Sequence, residues 1–117
     1  MYTVYGIPNC NSVKKAVDWL TSQEIPFVFH NYKKEGITAA KLKNWCKQQS
    51  WELLLNKKGT TWRGLDTIDQ NSISNEKAAI GFMVAHTSSI KRPIIEKNEM
   101  LIAVGFDAIA YEKLFAL

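Results

Sequence analysis

Two short runs of aromatic and β-branched residues, separated by one helical repeat, constrain this chain more than any other feature. Residues 2–5, Tyr-Thr-Val-Tyr, have the composition of a strand. Gly6-Ile7-Pro8-Asn9 is a turn. Val13, Ala16, Val17 and Leu20 then recur at i, i+3, i+4 and i+7, the spacing of one helix face. Pro26 precedes a second extended run, Phe27 to Tyr32. Strand, helix, strand in this order demands parallel pairing and a right-handed crossover. The rest of the chain must complete that sheet.

The middle reads as helical. Thr38 is a good N-cap for a helix with Leu42, Trp45 and Cys46 on one face. A short apolar helix follows over Trp51–Leu55. Residues 56–72 are polar and loop-like. Ser74 is placed to cap another helix that turns Ala79, Ile80, Met83 and Val84 inward. The last third returns to strands. Ile94-Ile95-Glu96 and Met100-Leu101-Ile102-Ala103 flank Lys97-Asn98-Glu99, and Asn98 tolerates the left-handed backbone of a hairpin turn. Asp107 caps a final helix with Ile109, Tyr111 and Leu114. Without the middle, the order is βαβ then ββα. The expectation is therefore an α/β protein of thioredoxin-like fold, one domain of 117 residues with a helical insert over about 37–87.

Composition excludes several classes. Apolar residues make up 46% and charged residues 22%, a globular balance rather than a disordered one. Apolar runs are too short for a membrane span. The first residues lack a basic lead and an apolar stretch, so no signal peptide is expected, and the C-terminus carries no address motif. Two cysteines, Cys10 and Cys46, are too few for a disulfide scaffold, which points to the reducing cytoplasm. A net charge of +4 suits small anions as well as it suits nucleic acid. The aromatics are spread as core residues and offer no base-stacking platform, so no direct nucleic-acid site is expected.

Cys10 is the candidate nucleophile. It lies between a strand end and a helix start, in Pro8-Asn9-Cys10-Asn11-Ser12-Val13-Lys14-Lys15. Unpaired N–H groups and the positive end of the helix dipole favour its thiolate there. Asn11 and Ser12 share that first turn, the Ser12 hydroxyl could donate to the sulfur or cap the helix, and Lys14 and Lys15 add charge. Position 13 is Val, so there is no Cys-x-x-Cys pair, and an external thiol such as glutathione must resolve any mixed disulfide. Cys46, on an apolar stripe beside Trp45 and Leu42, reads as core.

Two basic stretches remain. In Ile90-Lys91-Arg92-Pro93-Ile94-Ile95, Pro93 opens a strand, with a cis bond allowed. In a thioredoxin-like fold that loop faces the first helix, which brings Arg92 to Cys10, where its planar fork suits an oxyanion or carboxylate. In Asn56-Lys57-Lys58-Gly59-Thr60-Thr61-Trp62-Arg63-Gly64, Lys58 and Arg63 are candidate anion contacts. No metal is expected, since two Cys and two His at these spacings match no zinc pattern. The Gly59–Gly64 stretch lacks the Lys of a phosphate loop.

The opening Tyr5-Gly6-Ile7-Pro8-Asn9-Cys10, the helix start Val13-Lys14-Lys15-Ala16, the stretch Leu54 to Arg63 and Lys91-Arg92-Pro93-Ile94-Ile95 together resemble the ArsC/Spx superfamily. That superfamily includes glutaredoxin-linked arsenate reductases and Spx-type regulators, and this chain looks most like its small YffB-like bacterial branch. The resemblance covers nearly the whole chain. It implies that Cys10 matches the nucleophilic cysteine and that Arg92, beside Pro93, matches an active-site arginine. It also brings two sets of partners: glutathione or glutaredoxin for the reductases, and the RNA polymerase α subunit for the Spx-type regulators.

The departures shift the expected chemistry. Arsenate reductases of the family surround the oxyanion with three arginines. Here Asn56 stands where the first would fall, and Val104-Gly105-Phe106 where the last would. Charge-assisted contacts contribute about 1.5–3 kcal/mol each, so arsenate binding should be much weaker. A glutathione-dependent thiol reductase, with glutathione as co-substrate, is expected in place of a true arsenate reductase. The alternative is a Spx-like polymerase-binding regulator without catalysis, and Val13 removes the redox switch such regulators carry.

Overall fold

The computed structural model describes residues 1–115 of the chain. Two compact units make it up: Met1–Glu35 with the chain from Arg92 onward, and Gly36–Lys91.

The first unit opens as the hydrophobic pattern requires. Tyr2–Gly6 (β1), Asn11–Ser22 (α1) and Phe27–Asn31 (β2) form a parallel βαβ unit, with Tyr2 opposite Phe27 and Gly6 opposite Asn31. The second strand stops one residue short of the expected Tyr32, which instead begins a single helical turn, Tyr32–Glu35 (α2). Local bonds drive the change. The Asn31 side chain accepts from the Lys33 N–H at 3.0 Å, and the Glu35 carboxylate accepts from the Asn31 N–H at 3.0 Å.

The second unit is helical. Ala39–Gln48 (α3) is capped by Thr38, whose hydroxyl accepts from the Lys41 N–H at 3.1 Å, and it buries Leu42 and Trp45 completely. Ser50 caps Trp51–Leu54 (α4). The expected loop over 56–72 contains two short helices, Thr60–Arg63 (α5) and Thr67–Ser72 (α6). Neither has a buried residue, so neither leaves an apolar repeat to read. The Asp66 cap of α6, accepting from the Asp69 N–H at 2.8 Å, is the local signal that was present. Asn75, not Ser74, caps Glu76–Ala85 (α7), accepting from the Ala78 N–H at 2.9 Å. Ala79, Ile80 and Met83 are buried as expected, while Val84 faces solvent. A 3₁₀ turn at Thr87–Ser89 leads to a bridge between Leu55 and Ile90, where the Leu54 carbonyl accepts from the Lys91 N–H at 2.8 Å.

The chain then re-enters the first unit as a hairpin, Ile94–Lys97 (β3) and Met100–Val104 (β4). Its turn places both Asn98 and Glu99 at positive φ, 51° and 66°. The sheet runs β2-β1-β3-β4, with β3 antiparallel to both neighbours. Asp107 caps Ala108–Leu114 (α8) by accepting from the N–H groups of Ile109 and Ala110. In α8 it is Tyr111 that turns inward, with Phe115 just beyond the helix, and Ile109 and Leu114 are exposed. Ala16 and Leu20 of α1 join Val4, Ile95, Ala103, Tyr111 and Phe115 in one core cluster, so α1 and α8 cover the same sheet face. This is the thioredoxin-like plan. Among the described residues no helix is long and apolar enough to cross a membrane.

Candidate active site around Cys10

Cys10 occupies the N-cap of α1, in extended backbone at φ −134° and ψ 125°, and its carbonyl accepts from the Lys14 N–H at 2.9 Å. Close approach of strand and helix places it there. A Cβ on Gly6 would lie 2.6 Å from Cγ2 of the buried Val13, so only glycine lets the end of β1 meet the first turn of α1 without displacement. The thiol is half-buried, and that burial opposes its ionisation. Hydrogen bonding from the Val13 N–H, from the Arg92 side chain and from the Ser12 N–H, together with the Arg92 charge, outweighs the burial. The Cys10 thiol therefore lies below its ordinary range.

Topology explains why Arg92 reaches the sulfur. The C-terminal end of β1, the C-terminal end of β2 and the N-terminal end of the antiparallel β3 share one edge of the sheet. Cys10 follows β1, Tyr32 follows β2, and Arg92 sits two residues ahead of β3. The Arg92–Pro93 bond is cis, and the buried Pro93 anchors the entry to the strand, its carbonyl accepting from the Gly105 N–H at 2.7 Å.

Beneath this pair lies a buried polar group that sequence reasoning did not single out. The Tyr5 hydroxyl donates to Glu96 Oε1 at 2.7 Å, and both residues are buried. The Tyr5 ring lies 4.7 Å from the His30 ring and 6.1 Å from the Tyr32 ring. His30 Nδ1 stands 3.8 Å from the Glu35 carboxylate. Burial, first, and then the neighbouring Glu96 push the Tyr5 phenol up, and burial does the same to Tyr32, so both stay neutral. The available signal was period-two alternation: Tyr5 and Glu96 project from the face opposite Val4 and Ile95.

The other candidates fall in separate places. Asn11, Ser12 and Lys14 are exposed on the first turn of α1, and Ser12 acts on the sulfur through its N–H. Lys14 also borders an apolar groove of about 440 Å³ with Pro8, Asn9, Val13, Val17, Phe27 and Phe29. Lys58, Arg63 and Lys91 belong to the second unit. There Lys58 and Lys91 share a cleft of about 200 Å³ with Asn56 and Lys57, while Arg63 ends α5 outside that cleft. Cys46 is half-buried, and desolvation, then the nearby Glu76, push its thiol up to about 11. Among the described residues no three His, Cys, Asp or Glu side chains are grouped to hold a metal ion.

Comparison with known proteins bears on the same architecture. An uncharacterized protein of Haemophilus influenzae is 38% identical over 116 residues, covering 99% of this chain and 100% of the relative. The global transcriptional regulator Spx of Lactiplantibacillus plantarum is 27% identical over 109 residues, covering 92% of this chain and 80% of the regulator. Among solved structures, the YFFB protein superposes with a TM-score of 0.90 at 38% identity, covering 97% of this chain and 98% of that one. An arsenate reductase (ArsC) related protein from Brucella melitensis gives 0.77 at 41% identity, covering 99% and 95%. The ArsC family model matches residues 5–114, a span that takes in Cys10, Arg92 and the helical unit between them; the chain belongs to the ArsC family.

Proposed function

We propose that the protein is a glutathione-linked thiol reductase of the reducing cytoplasm, with Cys10 as nucleophile. The observation that carries this reading is the lowered Cys10 thiol at the head of α1 beside Arg92. The thiolate attacks an oxidised sulfur. With a glutathionylated substrate thiol, a bond forms between Cys10 and the glutathione sulfur as the substrate's S–S bond breaks, and the departing substrate thiolate takes a proton from water. A second glutathione, or a glutaredoxin thiolate, attacks the mixed disulfide, leaves as the new disulfide partner and returns Cys10 to the thiolate.

Arg92 stabilises the thiolate and holds a carboxylate or other oxyanion of the substrate. Asn11, Ser12, Lys14 and Pro93 form the near contacts. The test is the rate of Cys10 alkylation against pH in the Cys46→Ser variant, followed by turnover with glutathione. An inflection well below the free-thiol value of about 8.5 is the expected result. An unshifted inflection, or loss of turnover in Cys46→Ser but not in Cys10→Ser, would overturn the assignment.

The Spx relatives favour a second reading. In it the chain is a regulator that binds the RNA polymerase α subunit without catalysis. Capture of that subunit by Cys10→Ala, at wild-type strength and with no glutathione turnover in the wild type, would select it.

A further inference from the structure

Between α1 and β2 runs an apolar groove of about 440 Å³, and the chemistry proposed above leaves its apolar walls unused. The groove is built around the position of Cys10. Pro8 and Asn9 come from the loop just ahead of that residue, and Val13 and Lys14 from the helical turn just after it. One helical turn rises about 5.4 Å, so the groove begins beside the turn that carries the sulfur. Val17 on the following turn and Phe27 and Phe29 on β2 extend it, and all three are only partly buried against the core. The sheet order sets Arg92 on the other side. β1 leads into Cys10, β2 flanks β1 on one side and β3 on the other, and Arg92 stands two residues ahead of β3.

A glutathione mixed disulfide has two unlike halves. Glutathione carries carboxylates and amides and no apolar side chain, so it suits an arginine and gains nothing from an apolar groove. We propose that the groove takes the other half: the polypeptide around a glutathionylated cysteine, with an apolar side chain next to that cysteine seated between α1 and β2. The proposal rests on the reading of Cys10 as a glutathione-linked nucleophile and names its substrate class. Cys10 attacks the glutathione sulfur, the bond from that sulfur to the substrate cysteine breaks, and the electron pair leaves on the substrate sulfur, which takes a proton from water. Two features of the walls narrow the occupant further. β2 is an edge strand of the sheet, and an edge strand offers main-chain donors and acceptors to an extended segment. The one charged wall residue is Lys14, so a carboxylate beside the apolar side chain is favoured over an ammonium.

The experiment measures turnover of four probes in the Cys46→Ser background, with glutathione as the second thiol. One probe is the mixed disulfide of glutathione with free cysteine. The others are glutathionylated peptides that differ only ahead of the cysteine: Glu-Phe-Cys, Glu-Ser-Cys and Lys-Phe-Cys. Seating one apolar side chain should make kcat/KM about tenfold higher for Glu-Phe-Cys than for Glu-Ser-Cys. Lys-Phe-Cys should fall below Glu-Phe-Cys. Val17→Lys, which puts a charge on the groove wall, should bring the Phe and Ser peptides to within about twofold of each other, each read as its ratio to the cysteine probe.

Three results overturn the proposal and leave the thiol reductase standing, provided the cysteine probe is still reduced: equal kcat/KM for the Phe and Ser peptides, a preference that survives Val17→Lys, or Lys-Phe-Cys turned over at least as fast as Glu-Phe-Cys. No turnover of any probe overturns the reductase reading itself. A dimer in solution that Val17→Lys dissociates assigns the groove to a second copy of the chain and also overturns the proposal. If Val17→Lys fails to fold, Phe27→Thr takes its place, and the same loss of preference is required.

Discussion

Cys10 is half-buried, which works against its thiolate, and the groups that overcome this are mostly backbone N–H groups and one arginine. That makes its ionisation sensitive to the packing of the residues around it. Gly6 is the sharpest case. A methyl group there would lie 2.6 Å from Cγ2 of Val13, a stiff β-branched side chain that is itself buried. Gly6→Ala should cost about 1–3 kcal/mol in denaturant unfolding. It should also raise the alkylation inflection of Cys10, because displacing Val13 moves the N–H that faces the sulfur. Position marked Cys10 in the sequence, and the expected fold marked Arg92. Tyr5 and Glu96 were unmarked, because a buried tyrosine and a strand glutamate acquire meaning only when two strands 91 residues apart bring them to 2.7 Å.

The caps and turns decide the ends of the elements, and most were legible. Thr38 and Asp107 act as predicted, because side-chain capping is a local event. Residues 56–72 were not legible as helix, since two single-turn or near-single-turn helices without buried residues carry no periodicity. The end of α1 offers a test of element-level reasoning. The Ile25 N–H reaches the Leu20 carbonyl at 3.0 Å and the Glu24 N–H reaches that of Thr21 at 3.0 Å, a Schellman closure with Leu20 and Ile25 packed in the core. Glu24 carries the left-handed residue of that closure at φ 57°. Glu24→Gly should therefore stabilise the protein by about 1 kcal/mol, read as a higher denaturation midpoint at unchanged slope.

At the scale of the whole molecule, the two thiols act on stability with opposite signs. The Cys10 thiol is lowered in the folded state, so its contribution is present above the unfolded value and is lost as pH falls through the folded one. The Cys46 thiol is raised to about 11, so its contribution is complete below the unfolded value and is lost as pH rises toward that figure. Wild type should lose melting temperature between about pH 8.5 and 11 more steeply than Cys46→Ser, as thermal unfolding against pH would show.

The order of the strands, the parallel crossover, the hairpin at Asn98 and the position of Cys10 at a helix start followed from the sequence by itself, because periodicity, turn chemistry and helix-end polarity are written in neighbouring residues. Only the tertiary structure decided which groups surround the thiol. The sheet order brings three strand ends to one edge, where Arg92 meets Cys10 as the fold plan implied, and where Tyr5 meets Glu96 with the buried Tyr32 close by, which nothing in the sequence had marked. Contacts between residues far apart in sequence depend on register and packing of the whole sheet, and no local pattern encodes them.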